Sequence, residues 1–364
     1  MAALRRAAAC NKRPPAPKVS LLLRACVLAP FVLFPLLTLA QQQSPPPAQP
    51  VPQAIRVSTE LVKIDAIVFD KHKNFAAGLA QNDFRVLVDG VAQPVVFFSP
   101  VDAPAQVLVM VETSPAVYLI HNQHLIAAYA LLQGLAPEDQ VALVTYAQSP
   151  QGLMGFVTNK SALAAALGQI QYTLGTGQLN FYDSVSTVLD WLAASGGKKA
   201  MVLLTTGLDS SSPARWDALV QKLRQTDVTI FPVALGGSLR NYGAKKSKSS
   251  KKAGKSAASN APLDDQTASP LSFEKANEAL LSLAGITGGR AYFPVTANDF
   301  APMYREIAAS LRHQYVLGIE PRHDGQYHLL SVEILDAHGQ PLTAPAKRPE
   351  FQVLARQGYQ APGP

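Results

Sequence analysis

Two short polar clusters in this chain of 364 residues have the residue types and spacing to bind a ligand. Glu112 and Ser114 directly follow the apolar run VLVMV, and Thr206 and Asp209 follow the run AMVLLT. Such unbroken apolar runs are typical of strands that are buried on both faces of a parallel sheet. Open α/β sheets bind ligands at the carboxyl ends of these strands. We therefore predict a ligand-binding rim around Glu112, Ser114, Thr206 and Asp209.

Other patterns for catalysis or metal binding are weak. His121 and His124 could share one face of a predicted helix, but no third ligand accompanies them, so two surface histidines are the favoured interpretation. Residues 254–256 imitate the end of a phosphate-binding loop, but its leading glycine is replaced by Ser249. The sequence has no nucleophile elbow and no His-Glu-x-x-His helix. It indicates no catalytic residue, no metal and no cofactor.

The formal net charge of +7 is concentrated in two segments. Residues 1–40 contain basic residues and no acidic one, and a group of lysines lies within residues 245–255. The rest of the chain is slightly acidic, whereas nucleic-acid-binding domains present a basic patch. We therefore expect no nucleic-acid partner.

The N-terminus has the order of a secretory signal. A basic leader precedes the apolar residues 25–40, and small residues stand before Gln41. The apolar run is shorter than the roughly 20 residues of a bilayer span, so we predict that residues 1–40 are a cleaved signal peptide. An uncleaved membrane anchor is the alternative, because the basic leader is long. Both cysteines lie in this segment, so the mature chain would have no disulfide. The Pro/Gln-rich residues 41–54 are a predicted linker.

The remaining chain divides by pattern into three parts. Residues 55–102 contain short strand patterns. Residues 103–314 alternate strands and helices, which predicts an α/β fold with a doubly wound, mostly parallel sheet. A Lys-rich surface loop at 240–272 interrupts this order. Residues 315–357 return to strands, so the sheet is flanked by β-sandwich-like segments.

The two flanking segments, 55–102 and 315–357, are each too short to bury a core alone. We predict that they pair into one sandwich, with the α/β domain inserted between them. The dipeptide Asp89-Gly90 predicts a tight hairpin in the first segment. The residues predicted to face the shared core are Val86, Val88, Val95, Phe97, Val316, Val332, Ile334 and Val353.

Local signals also predict where several elements begin. Asn159 or Ser161 is the expected cap of a short alanine-rich helix. A second helix is expected over residues 213–224, because proline is favoured in the first turn. Residues 291–295 are predicted to form a short strand.

Six motifs follow one another along the chain. They are Val-Asp-Gly at 88–90, Phe-Tyr-Asp at 181–183, Leu-Leu-Thr-Thr-Gly-Leu-Asp at 203–209, Thr-Gly-Gly-Arg-Ala-Tyr-Phe at 287–293, Gln-Tyr-Val-Leu-Gly at 314–318 and Ala-Arg-Gln-Gly-Tyr at 355–359. In this order they resemble the secreted von Willebrand factor A-related family of the acidobacterial type, over nearly all of residues 55–360. The resemblance implies a Rossmann-like von Willebrand factor A domain.

The resemblance also implies a metal-ion-dependent adhesion site, but the ligand positions have changed. The family takes Asp, Ser and Ser from its first loop, Thr from a second and Asp from a third. This chain has Glu112, Ser114, Ala116, Leu179 and Thr206 at the matching positions. Magnesium requires near-ideal octahedral oxygen geometry at about 2.0–2.1 Å, and alanine and leucine offer no oxygen. We therefore expect a degenerate site that binds no metal.

These observations favour an exported, non-catalytic protein-binding or adhesion module with an unidentified protein partner. Contact with a membrane is expected only if residues 25–40 remain as an anchor. A structural subunit of a cell-envelope complex is the first alternative, with the degenerate site as a relic. An extracytoplasmic hydrolase is the second, and the missing nucleophile–base pattern counts against it.

Overall fold

The computed structural model describes residues 61–118, 121–172, 178–237, 270–343 and 349–364. The predicted signal peptide 1–40, the linker 41–54 and the Lys-rich loop, up to residue 269, lie outside the described residues, and so do the side chains of His121 and His124. Among the helices within the described ranges, none has both the length and the apolar composition that a bilayer span requires.

Strands dominate both ends of the described chain, and helices alternate with strands in the middle. The strands are β1 (Val62–Asp70), β2 (Phe84–Val88), β3 (Val91–Gln93), β4 (Phe97–Asp102), β5 (Ala105–Glu112), β6 (Gln140–Tyr146), β7 (Pro150–Val157), β8 (Lys198–Thr205), β9 (Thr229–Ala234), β10 (His313–Ile319), β11 (Tyr327–Ile334), β12 (Phe351–Leu354) and β13 (Gly358–Gln360). The helices are α1 (Pro115–Tyr118), α2 (His121–Gly134), α3 (Lys160–Gly168), α4 (Phe181–Ala193), α5 (Trp216–Gln225), α6 (Pro270–Thr287) and α7 (Phe300–Arg312). Short 3-10 turns lie at Gln81–Asp83 and Ala297–Asp299.

The middle of the chain forms a five-stranded sheet in the order β7-β6-β5-β8-β9. Strands β6, β5, β8 and β9 are parallel, and β7 is antiparallel to β6. Helices α2, α3 and α7 contribute to the core on one face, and α4, α5 and α6 contribute to the core on the other. The predicted α/β fold with a doubly wound, mostly parallel sheet is confirmed.

Strand β5 is central in this sheet because both of its faces are apolar. Val107, Val109 and Val111 point into one core, and Leu108 and Met110 point into the other. Successive side chains of a strand alternate between faces, so an unbroken apolar run is buried on both sides. The two cores fix β5, and with it the position of the polar residues at its carboxyl end.

Two four-stranded sheets, in the orders β12-β1-β10-β4 and β13-β11-β2-β3, enclose a third core. Each sheet combines strands from residues 61–102 with strands from residues 313–360. Strand β1 pairs with β10 and β12, and β2 pairs with β11. The hairpin predicted from Asp89-Gly90 joins β2 to β3, with positive φ angles of 51° and 82° at the two residues. The division of the whole chain into five segments stays a prediction.

Two residues of this sandwich, Phe97 and Val316, were predicted to face the core, and this prediction is wrong. Phe97 is 47% exposed, and its neighbour Phe98 packs against the core instead. Across the ladder Phe98 is opposite Leu317, which points into the same core, whereas Val316 points away from it. Because side chains alternate with a period of two, a one-residue error in register moves a side chain to the other face.

Element boundaries follow the local signals only in part. Asn159 caps α3, and its side chain accepts a hydrogen bond from Ser161 N at 3.0 Å. Helix α5 begins at Trp216 rather than at position 213, and no side chain caps it. The predicted strand at 291–295 is reduced to a single bridge between Val233 and Tyr292. Strand β7 was not predicted, since it contains glycines and its register against β6 shifts twice.

Candidate functional site at the carboxyl edge of the sheet

The two polar clusters meet at the carboxyl edge of the five-stranded sheet. Glu112 is the last residue of β5, and Thr205 is the last residue of β8. These neighbouring strands are parallel and in register, with Val111 opposite Leu204. Their polar ends therefore come together, as expected for the ligand-binding edge of an α/β sheet.

The Glu112 carboxylate is the centre of a hydrogen-bond network at this edge. Its Oε1 accepts from Ser114 Oγ at 2.5 Å, and its Oε2 accepts from the backbone N of Thr206 at 2.6 Å. The Thr206 hydroxyl lies 3.0 and 2.9 Å from the two oxygens. The Thr205 hydroxyl donates to Oε2 at 3.0 Å, and the Tyr146 hydroxyl lies 3.2 Å from the same atom. One side chain thus joins the ends of β5, β6 and β8.

This network is closed to solvent. Glu112 is 0% exposed, Ser114 5% and Thr206 3%. Burial, followed by the charge of Glu112, raises the pKa of the Tyr146 phenol well above its ordinary value of 10.0, so the phenol stays protonated. A buried carboxylate requires such donors, because an unpaired buried charge is costly. Because Glu112, Ser114 and Thr206 are buried, a macromolecular partner at this edge would contact the exposed residues that surround them.

Asp209, the fourth predicted site residue, has other partners. Its Oδ1 accepts from Ser212 Oγ at 2.5 Å and from the backbone N of Tyr182 at 3.1 Å. Its Oδ2 accepts from Ser212 N at 3.2 Å. Asp209 is half-buried, and it ties the loop after β8 to the first turn of α4. It shapes the same edge of the sheet without bonding to Glu112.

A polar cleft of about 450 Å³ opens beside the Glu112 network. Buried Thr113 and Tyr146 contribute to its lining, and Thr113 Oγ1 donates to the carbonyl oxygen of Tyr146 at 3.1 Å. Among the described residues that line the cleft, none is charged. Its more accessible lining residues are Gln148, Ser149, Gln151, Gln171, Tyr172 and Gln178.

Two members of the network, Tyr146 and Thr205, were not predicted from the sequence. Each is the last residue of a strand that pairs directly with β5. The signal was available, since both are polar residues at the end of an apolar run. Finding them required the strand order, which places β6 and β8 on either side of β5.

Comparison with known proteins agrees with this geometry. Residues 122–265 match the model of the von Willebrand factor type A domain. The central domain has the von Willebrand factor A fold. No match to a curated protein was found.

The solved structures that match this chain have low sequence identity to it. A von Willebrand factor type A protein from Catenulispora acidiphila is 12% identical, with a TM-score of 0.41 over 83% of this chain and 75% of that one. An aerotolerance-related membrane protein from Bacteroides fragilis is 12% identical, with a TM-score of 0.40 over 57% and 98%. The von Willebrand factor domain of the type V pili tip protein Mfa5 from Porphyromonas gingivalis is 19% identical, with a TM-score of 0.26 over 30% and 40%.

The side chains at this edge do not fit the divalent ion of a metal-ion-dependent adhesion site. Both oxygens of Glu112 already accept hydrogen bonds from protein donors. Leu179, at the position of the second-loop ligand, is a buried apolar member of the core. The nearby oxygens of Asn180 and Asp209 accept from Ser211 and Ser212. Mg²⁺ requires about six oxygen ligands in octahedral geometry, and this donor set does not supply them.

Proposed function

We propose that this chain is an exported, non-catalytic protein-binding or adhesion module of the von Willebrand factor A type. Its metal-ion-dependent adhesion site is degenerate, and its binding surface is the rim around Glu112, Ser114, Thr206 and Asp209. The partner is a protein, and no metal, cofactor or nucleic acid takes part. Export rests on the basic and apolar order of residues 1–40. The proposed membership of the secreted von Willebrand factor A-related family rests on the six motifs between residues 88 and 359.

The observation that supports this proposal is the set of hydrogen bonds that both carboxylate oxygens of Glu112 accept from protein donors. In a metal-dependent site, the loops at the strand ends are held by a shared ion. Here the Glu112 carboxylate performs that task, because it accepts from Ser114 on one loop and from Thr206 on another. The loops are thereby fixed without an ion, and a fixed surface loses little conformational entropy on binding.

The neutral cleft beside this network supplies accessible groups for a partner. Gln148 and Gln151 are exposed, and each amide offers both donors and acceptors. Such groups suit a polar, uncharged protein surface or an extended backbone. The cleft volume of about 450 Å³ accommodates a few side chains.

The network also disfavours catalysis. A general base needs a free lone pair directed at the substrate. Glu112 is fully buried, and its carboxylate already accepts from the hydroxyls of Ser114, Thr205 and Thr206. These hydroxyls are buried together with Glu112, so a substrate in solution does not reach them.

Site-specific photo-crosslinking tests the proposal. A photoreactive residue at position 151 in the cleft should capture a protein partner from an extract of the cell envelope. The matched control is position 221, an exposed glutamine on α5. With the captured partner purified, Gln148→Arg should weaken binding by about tenfold or more, since it places a charge in a neutral cleft. Gln221→Arg should leave the affinity unchanged.

Two results would overturn the proposal. The first is equal capture at positions 151 and 221, which would indicate contact without a defined surface. The second is turnover of a hydrolase substrate by the purified protein that disappears in Glu112→Gln, which would make the chain an enzyme.

A further inference from the structure

A second cavity, of about 520 Å³, lies on a different part of the molecule from the glutamine-lined cleft. Its walls come from the start of β1, the end of α5 with the segment that follows it, and the C-terminal residues 356–362. This volume lies within the range of roughly 300–1,000 Å³ that is common for small-molecule sites. Two arginines, Arg224 and Arg356, face it from different elements.

Arg356 is held rigidly at this cavity. Its Nε donates to the carbonyl oxygen of Gly358 at 2.8 Å, and its Nη2 donates to the carbonyl oxygen of Arg224 at 2.6 Å. No bond from its Nη1 to a described residue is present. Burial lowers the pKa of Arg356, and this effect exceeds the opposite effects of Tyr327, Asp65 and Asp227. The guanidinium is thus fixed in place and incompletely compensated.

Arg224 is oriented by an aromatic ring and keeps an unused donor. Its guanidinium carbon lies 4.1 Å from the centroid of the Tyr327 ring. Its Nε is buried and has no hydrogen-bond partner among the described residues. Leaving such a donor unpaired in the protein interior carries a free-energy penalty. A ligand that accepts from this atom would recover that free energy.

The acidic residues of the cavity form their close ion pairs with lysines rather than with these arginines. Asp65 pairs with Lys63 at 3.3 Å, and Asp227 pairs with Lys199 at 2.9 Å. Within the described part of the chain, neither Arg224 nor Arg356 forms an ion pair with a carboxylate. Asp65 Oδ1 is the atom that Lys63 Nζ approaches. The cavity is lined by three cations, Lys63, Arg224 and Arg356, and by two carboxylates, Asp65 and Asp227, so one positive charge is in excess. Arg224 Nε also lacks a hydrogen-bond partner among the described residues.

We propose that this cavity is a binding site for a small oxyanion, a carboxylate or a phosphate, held by Arg224 and Arg356. The planar guanidinium matches both groups, because its N–H donors are arranged as a fork. Phosphate offers more oxygens and more negative charge to two guanidinium groups than acetate does, so phosphate should bind more tightly than acetate.

The test is a titration of the full chain, labelled with ¹⁵N, with inorganic phosphate and separately with acetate, at an ionic strength kept constant with sodium chloride. The Nε–H signals of Arg224 and Arg356 should shift along a saturable curve. The signal of Arg215, an exposed arginine on the protein surface, should not. Arg224→Gln should weaken phosphate binding by about tenfold or more, because it removes a charge-assisted hydrogen bond to the anion. Arg215→Gln should leave it unchanged.

Shifts that grow linearly and equally in the wild type, Arg224→Gln and Arg215→Gln would show a general ionic effect and refute the site. Absence of any shift at Arg224 and Arg356 would refute it as well. If Arg224→Gln does not fold, Arg224→Lys serves in its place, since it keeps the charge and removes the planar fork. Unweakened phosphate binding by that variant would also refute the assignment.

Discussion

Replacing Glu112 by alanine removes the acceptor that joins the strand ends of the von Willebrand factor A sheet. In the native protein this carboxylate accepts from the backbone N of Thr206 and from hydroxyls on three elements. The side chain is 0% exposed, so no solvent reaches these donors directly. Truncation would leave the amide of Thr206 buried without a partner and would create a cavity.

The expected loss follows from these two terms. An unsatisfied buried amide costs about 1–3 kcal/mol, and loss of the one buried methylene, Cγ, costs about 0.8 kcal/mol. We expect Glu112→Ala to lower the free energy of unfolding by about 2–4 kcal/mol. Glu112→Gln should cost at most about 1.5 kcal/mol. Its amide oxygen still accepts from Thr206 N, the hydroxyl of Ser114 can turn to accept, and a neutral group is cheaper to bury.

Urea denaturation followed by circular dichroism measures these differences. The change should appear as a shift of the midpoint with an unchanged slope. Glu278 on α6 is exposed and provides the matched control. Glu278→Ala should change the free energy of unfolding by less than about 0.5 kcal/mol.

Two results would contradict this reasoning. A loss of less than about 1 kcal/mol for Glu112→Ala would mean that the network adds little to stability beyond what solvent supplies. Equal losses for the alanine and glutamine variants would mean that the negative charge, rather than the acceptor geometry, holds the strand ends together.

Three further predictions concern metal, pH and architecture. Millimolar Mg²⁺ or Mn²⁺ should leave the melting temperature unchanged in a thermal scan, whereas an ion at 100 times its Kd would add about 2.7 kcal/mol. The hydrogen bond to Asp324, and then that to Asp89, raises the pKa of His328 above its ordinary 6.5 against the effect of burial. The stabilisation by the charged imidazole of His328 should be fully present below pH 6.5 and be lost as the pH rises through the folded-state pKa. The free energy of unfolding of His328→Gln, measured by urea denaturation, should therefore change less over this pH range than that of the wild type. Deleting residues 315–364 should expose residues 55–102 to limited proteolysis, while the α/β domain stays resistant; continued protection of those strands would contradict the shared sandwich.

The structural elements that could be predicted from the sequence are those whose signals are local. The apolar run that became β5 could be identified because a strand buried on both faces needs no alternation. The hairpin at Asp89-Gly90 followed from the positive φ angles that its turn requires. Asn159 was identifiable as a cap because its side chain bonds only two residues along the chain. Signals of this kind do not depend on distant residues.

Which polar side chains bond to Glu112 depends on the tertiary structure. Tyr146 lies 34 positions from Glu112 and 59 positions from Thr205 in the sequence. The strand order brings these three side chains together. Asp209 came to the same edge, but its bonds go to Ser212 and α4. The face of Phe97 depended on a ladder register that hydrophobic periodicity does not fix. The cavity at Arg224 likewise exists only because α5, β1 and the C-terminal residues converge, and no local pattern encodes that convergence.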